Sequence, residues 1–281
     1  MPVTARRLIR KMRGGAQSHL LEADDGHFYV TKFRNNPQHR RILINEVIAS
    51  TLLAHLQIAC PPYSLVALNS QFVAENQGLY VQLGTRQDAV PPGWHFGSRY
   101  PGDPSRTAVY DFVPDTLLDR VANASDFLGV LAFDKWTGNS DARQSIFIRA
   151  RLREYAPAYA DHPLQVGFIT LMIDHGYIFN GPHWEFVDAP LAGLYFRPHV
   201  YRGVTGLNDF EPWLARISNL PEEIIDDALR QIPPEWLNGD TLALDLLLTR
   251  LMKRRGSVAD LIEQSIRARP ELFPNWPSSG H

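Results

Sequence analysis

Phe133-Asp134-Lys135-Trp136-Thr137-Gly138-Asn139-Ser140-Asp141-Ala142-Arg143-Gln144-Ser145-Ile146-Phe147 is the stretch on which the reading of this chain turns. A helix is expected to end near Gly138, a tight polar turn to present Asp141 and Gln144, and an apolar strand to begin at Ile146. A carboxylate on such a turn can orient an acceptor hydroxyl and take its proton, and an amide oxygen beside it suits a hard cation. Asp134 reads either as a further acid behind the site or as a helix residue paired with Lys135 or Arg143, the pairing being favoured.

Working outward, Gly167-Phe168-Ile169-Thr170-Leu171-Met172-Ile173 reads as a buried strand that delivers Asp174-His175-Gly176 at its end. Asp174 there has the exposure of a metal-binding carboxylate, while His175 is expected to pack or orient, because magnesium prefers oxygen. Upstream, Lys32 follows the β-prone triplet Tyr29-Val30-Thr31. Glu46 lies fourteen residues later beside Val47 and Ile48, where an unpaired carboxylate would be costly, so Lys32 is its natural partner. Gly14, Gly15, Ala16, Gln17 and Ser18 form a small-residue turn between strand-like stretches, open to close approach by a phosphate. Each feature alone has a bland reading: a hairpin turn, an edge lysine, a surface glutamate, a simple Asp-x-Gly turn. Together, in this order, they are the parts phosphoryl transfer needs, since its transition state is mostly charge on oxygens.

The rest of the pattern predicts an α+β protein. Asp24-Asp25-Gly26 reads as a hairpin tip, and apolar residues from Arg41 to Ile58 recur at helical spacing until Pro61-Pro62. Ser64 to Val81 reads as strands, with a turn at Asn69-Ser70. Residues 84–106 read as an inter-lobe crossing rich in Gly and Pro. Helices are expected over Asp115–Val121, Ala124–Thr137, Asn208–Ile217, Pro221–Gln231, Asp240–Arg254 and Ser257–Arg267, with strands over Ser145–Arg153 and Val166–Phe179. The division is a β-rich lobe over residues 1–100 with one helix, then a mainly helical lobe over 101–281. Trp94, His95, Phe96, Arg99 and Tyr100 are expected either to line a pocket or to pack between lobes. Lys253-Arg254-Arg255 reads as a solvated helix end.

With 281 residues, 44% hydrophobic and 21% charged, the chain can bury a substantial core. A net charge of -2 gives no global attraction to nucleic-acid phosphates, so no direct nucleic-acid role is expected. The single cysteine, Cys60, sits in an apolar stretch, cannot form an intramolecular disulfide and fits a reducing compartment, read as the cytoplasm. No secretory h-region and no run long enough to span a membrane is present.

Gly15-Ala16-Gln17, the helix Asn45-Glu46-Val47-Ile48-Ala49-Ser50-Thr51-Leu52-Leu53-Ala54 ending at Pro61-Pro62, and Asn139-Ser140-Asp141 resemble the HipA-like kinase family, as does Asp174-His175-Gly176. The resemblance spans most of the chain. It implies a bilobal protein-kinase-like fold, ATP with Mg2+, transfer of the γ-phosphate to serine or threonine of a protein, and bacterial origin. Catalytic roles then fall to Asp141, Lys32 and Glu46, nucleotide contacts to the glycine turn and Lys32, and metal ligation to Gln144 and Asp174. An antitoxin or other regulatory partner belongs to the same expectation. The chain departs from the family's pattern in three places. Where the family's loop carries Asn five residues after its Asp, this chain has Ile146, so Gln144 takes that work. Ala142 and Arg143 replace the residues that often follow the Asp. Met12 stands where the persistence toxins carry their autophosphorylated serine, with Ser18 as a substitute acceptor.

Three further readings stay open at this level. The chain could be a kinase-shaped nucleotide-binding or partner-binding module without turnover, to which Ile146 points. It could be a kinase-fold enzyme transferring AMP. A metal hydrolase built from Asp134, Asp141, Asp174 and His175 ranks last, because it leaves Lys32, Glu46 and the glycine turn unexplained.

Overall fold

A computed structural model describes residues 2–155, 159–162 and 164–277. The fold is α+β. Its first part is a closed five-stranded barrel in the order β1-β2-β3-β7-β4: β1 (Val3–Lys11), β2 (His19–Ala23), β3 (Phe28–Lys32), β4 (Tyr63–Leu68) and β7 (Gly93–Arg99). Neighbours pair antiparallel except β1 with β4, whose parallel contact at Val3 opposite Val66 closes the ring. The β2–β3 hairpin turns at Asp24-Asp25-Gly26, where Gly26 adopts φ +76°. Inside the barrel pack Val3, Leu21, Tyr29, Phe33, Val66 and Leu68.

Helix α1 (Arg41–Leu56) buries residues on every side, including the polar Asn45, Glu46 and Ser50. A helix apolar all round must be enclosed, and this one touches β7 of the barrel on one side and later helices on the other. It ends at Gln57 in the left-handed conformation, four residues before Pro61-Pro62.

In the first part of the chain two regions differ from the sequence reading. Ser70–Glu75 is a short helix, α2, because the Asn69 side chain accepts from Phe72 N at 2.7 Å and caps it. Residues 84–106 are not simply a crossing. They contain β6 (Arg86–Ala89), paired with β5 (Tyr80–Leu83), and then β7, which pairs with both β3 and β4. Gly97 disguised β7 as a breaker. A Cβ at that position would meet Val66 Cγ2 at 2.5 Å, so the close approach of neighbouring strands requires the glycine.

Beyond β8 (Val109–Tyr110) and the short α3 (Asp115–Leu118), α4 (Asp126–Thr137) runs through the main core and stops at Gly138. Strands β9 (Gln144–Arg151) and β10 (Val166–Ile173) then pair antiparallel, with β8 on the outer edge of β9. The remainder is helical: α5 (Trp213–Ser218), α6 (Glu222–Arg230), α7 (Pro234–Leu237), α8 (Thr241–Lys253) and α9 (Val258–Ala268). The first expected turn of α5 is instead a 3-10 turn over Leu207–Phe210. Phe133, Trp136, Phe147, Phe179 and Trp236 are fully buried here, each worth about 1.5–3 kcal/mol of burial. The basic Lys253-Arg254-Arg255 end is a tie rather than a solvated terminus. Arg254 donates to Lys135 O and Trp136 O, both at 3.2 Å, and Arg255 to Leu220 O at 2.8 Å. Among the described residues no helix is long and apolar enough to cross a membrane.

Candidate active site

A cleft of about 760 Å³ opens between the barrel and the β9–β10 pair. Its lining includes Gly14, Gly15, Ala16, Ser18, Lys32, Glu46, Asp141, Gln144 and Asp174. Volumes of roughly 300–1,000 Å³ are typical of small-molecule sites.

Lys32 is delivered by the last position of β3 and Glu46 by the buried face of α1. The Lys32 ammonium donates to Glu46 Oε1 and, at 2.7 Å, to Asp174 Oδ1. Burial acts to lower the Lys32 pKa, but the two carboxylates outweigh it and hold the ammonium above its ordinary value. The positive charge of Lys32 depresses Asp174 against the opposing effect of burial, so that carboxylate stays ionised. Burial raises Glu46, with Lys32 counteracting. Glu46 Oε1 also accepts from His175 N at 3.0 Å, tying α1 directly to the Asp174 turn.

The Asp141 turn grows from the end of α4. Asn139 donates to Asp134 Oδ1 at 2.9 Å and accepts from Asp141 N at 3.1 Å. Asp141 O then accepts from Gly193 N at 2.8 Å, which leaves the carboxylate at the half-buried wall of the cleft. Gln144 opens β9 directly opposite Ile173, the residue before Asp174, and Gln144 and Asp174 both line the cleft. Gln144 is exposed. Ile146 pairs with Leu171 and is buried.

Behind this surface lies a buried ion pair. Arg143 Nε donates to Asp134 Oδ2 at 2.8 Å, Nη2 reaches Oδ1, and both side chains are 0% exposed. The same guanidinium donates from Nη1 to Ile173 O and to His175 Nδ1, each at 3.0 Å. Arg143 thus couples the loop of Asp141 to the turn of Asp174. His175 Nε2 donates to Met172 O at 3.1 Å, and burial lowers its pKa well below the ordinary value, so the ring is a neutral spacer.

Within the glycine turn, Met12 N donates to Ser18 O at 2.8 Å and Gln17 N to Gly14 O at 3.1 Å. Gln17 turns its side chain away from the cleft. Its amide donates to Gln82 O and accepts from Gln82 N, both at 2.7 Å, fastening the turn to β5. Ser18 is buried, with its residue in the cleft wall. Of the aromatic and basic cluster, Phe96, Arg99 and Tyr100 line the cleft. His95 packs inside the barrel, Nδ1 accepting from Arg34 N at 3.0 Å, with its pKa lowered by burial to about 3. Burial pushes the Cys60 thiol up to about 12, which keeps it a packing residue. Sequence reasoning missed Asn45 and the coupling by Arg143; the one signal for Asn45 was an amide amid apolar neighbours on a buried helix.

A lysine held by a helical glutamate thus shares one cleft with two downstream aspartates and a glycine turn. A model of the HipA-like kinase family matches residues 5–147 of the 281, and the chain belongs to that family. Among solved structures, it is similar to the Golgi casein kinase with Mn and ADP bound, at 12% identity and a TM-score of 0.48, over 95% of this chain and 73% of that one. It also resembles another structure of the Golgi casein kinase, at 12% identity and a TM-score of 0.47, over 97% of this chain and 73% of that one. The structure of hydra Fam20 with sugar aligns at 11% identity and a TM-score of 0.41, over 100% of this chain and 89% of that one. Among curated proteins none matches.

Proposed function

We propose that this chain is an ATP-dependent protein kinase, moving the γ-phosphoryl group to a serine or threonine hydroxyl in the cleft between a barrel lobe, residues 1–100, and a helical lobe, residues 101–281. The observation that carries the reading is the convergence of Lys32, Glu46, Asp141, Gln144 and Asp174 on one cavity, although they come from four separate segments.

The donor set fits magnesium. Asp174 offers a carboxylate held ionised, Gln144 an amide oxygen in the same cleft, and the nucleotide phosphates would complete a shell of hard oxygen ligands. When bound, the ion neutralises charge on the phosphate oxygens. Lys32, kept protonated by its two carboxylates, is the cation that would meet the nucleotide phosphates. Glu46 keeps the ammonium aimed into the cleft. Asp141 accepts the proton of the acceptor hydroxyl as its oxygen bonds to the γ-phosphorus and the bond to the β-phosphate oxygen breaks, releasing ADP.

The test is incubation of the purified chain with γ-labelled ATP, with and without a divalent metal, against a serine- and threonine-bearing protein mixture. Label should pass to protein only with metal, and Asp141→Ala and Asp174→Ala should each remove it. Full activity in either variant overturns the assignment. The buried Ile146 in place of an asparagine favours a second reading, a nucleotide-binding module without turnover. Thermal stabilisation by ATP and magnesium without transfer would select it, with about 2.7 kcal/mol expected at a ligand concentration 100 times Kd. Mass spectrometry of the labelled product separates an added phosphate from an added AMP.

A further inference from the structure

The turn that presents Asp174 continues into a stretch of unusual backbone. Asp174, Phe179, Asn180, Gly181 and Trp184 have φ of 58°, 58°, 53°, 62° and 55°, and all but one carry a Cβ. Left-handed φ is disfavoured for such residues, above all for a bulky aromatic, and persists only where the surroundings impose it.

One side chain meets this stretch at most of its turns. Asn45 Nδ2 donates to Gly176 O at 2.7 Å, Gly181 O at 3.0 Å and Ile178 O at 3.1 Å. Its Oδ1 accepts from Trp184 Nε1 at 2.9 Å. The residue is 0% exposed. An apolar replacement would leave those buried carbonyls and the indole N–H unpaired. The Trp184 ring is in turn covered by the Arg41 guanidinium at 4.2 Å, and Arg41 donates to Pro182 O at 2.9 Å. Gly176 completes the fit, since a Cβ there would meet Ile42 Cγ2 of α1 at 2.5 Å.

We propose that Asn45 is the positioning residue for Asp174: its amide fixes the backbone of residues 176–184 and thereby aims the Asp174 carboxylate at the metal position. Adjacent side chains of α1 then divide the work. Glu46 holds Lys32 and His175 N, and Asn45 holds the carbonyls of Gly176, Ile178 and Gly181 beyond them. The inference rests on the nucleotide reading above.

Two measurements on Asn45→Ala test it. The first is hydrogen exchange of the chain without ligands, where faster exchange should be confined to residues 174–184, with α1 still protected. The second is ADP affinity with and without magnesium. Metal-free affinity should stay unchanged, and the magnesium-dependent gain should fall about 10-fold or more, the usual loss when a group orienting a metal ligand is removed. Should the alanine variant fail to fold, Trp184→Phe decides. It keeps the ring under Arg41, removes the N–H that orients the Asn45 amide, and should move both readouts the same way by less. An undiminished magnesium gain in a folded variant, or equal loss of affinity with and without metal, overturns the positioning role. A wild-type chain with no magnesium-dependent gain overturns the nucleotide reading, and this inference with it.

Discussion

Lys32 on β3 and Asp174 after β10 stand 142 residues apart in sequence and meet at 2.7 Å across the cleft, with Glu46 on the other side of the ammonium. One cation therefore holds two carboxylates from opposite walls of the site, and its removal should act on stability and on chemistry separately.

Lys32→Met leaves Glu46 buried without a counter-charge, a change that typically costs about 3–5 kcal/mol. Adding Glu46→Gln should recover most of that loss in urea unfolding. Phosphoryl transfer should stay lower by about 10²–10³-fold in both variants, because the cation facing the phosphates is gone. Recovery of activity in the double variant would remove Lys32 from the chemistry.

Arg143→Leu strands Asp134 in the core and should cost about 3–5 kcal/mol, whereas the double variant with Asp134→Asn should approach the parent protein. The double variant should still lose turnover, since Ile173 O and His175 Nδ1 have lost the donor that ties them to the Asp141 loop. Urea midpoints and steady-state rates on the same three proteins give both numbers.

Gln144 is exposed, so Gln144→Ala should leave the melting temperature within the scatter of surface substitutions, about 0.5 kcal/mol. The magnesium concentration for half-maximal rate should rise about 10-fold if this amide helps hold the ion. A magnesium titration at saturating ATP reads it directly.

Asp126 caps no helix but accepts from Ala59 N at 2.9 Å and Asn123 Nδ2 at 2.8 Å, joining the loop after α1 to the start of α4. Burial raises its pKa from 3.8 to about 6, with the two donors opposing. The unfolded chain therefore loses this proton first as pH rises. Its contribution to stability declines between about pH 4 and about pH 6 and is flat above. Asp126→Asn has no such decline, so its stability relative to the parent should grow across that window and then hold, by on the order of 3 kcal/mol. A constant difference across the window would contradict the raised pKa.

Much of the site could be read along the chain because its parts are local. A lysine after three β-prone residues, a glutamate just before Val47 and Ile48, and an aspartate at the end of an apolar strand each announce their element by local pattern. The pairing of Asp134 with Arg143 was also within reach, since the two flank one helix end. The strand β7 was hidden, because its glycine serves a neighbour on another strand, and Gln17 kept its place in the turn while its side chain went to Gln82.

The amino-acid order alone determined the strand of Lys32, the helix of Glu46 and the turns of Asp141 and Asp174, and so which chemistry the chain can carry, because those choices depend on neighbours a few positions away. Only the tertiary structure decided how the carriers are aimed. The left-handed turns after Asp174 and the Asn45 amide that holds them, like the Arg143 bridge between two loops, join residues tens to more than a hundred positions apart. Their geometry is set by packing against partners that no local pattern encodes.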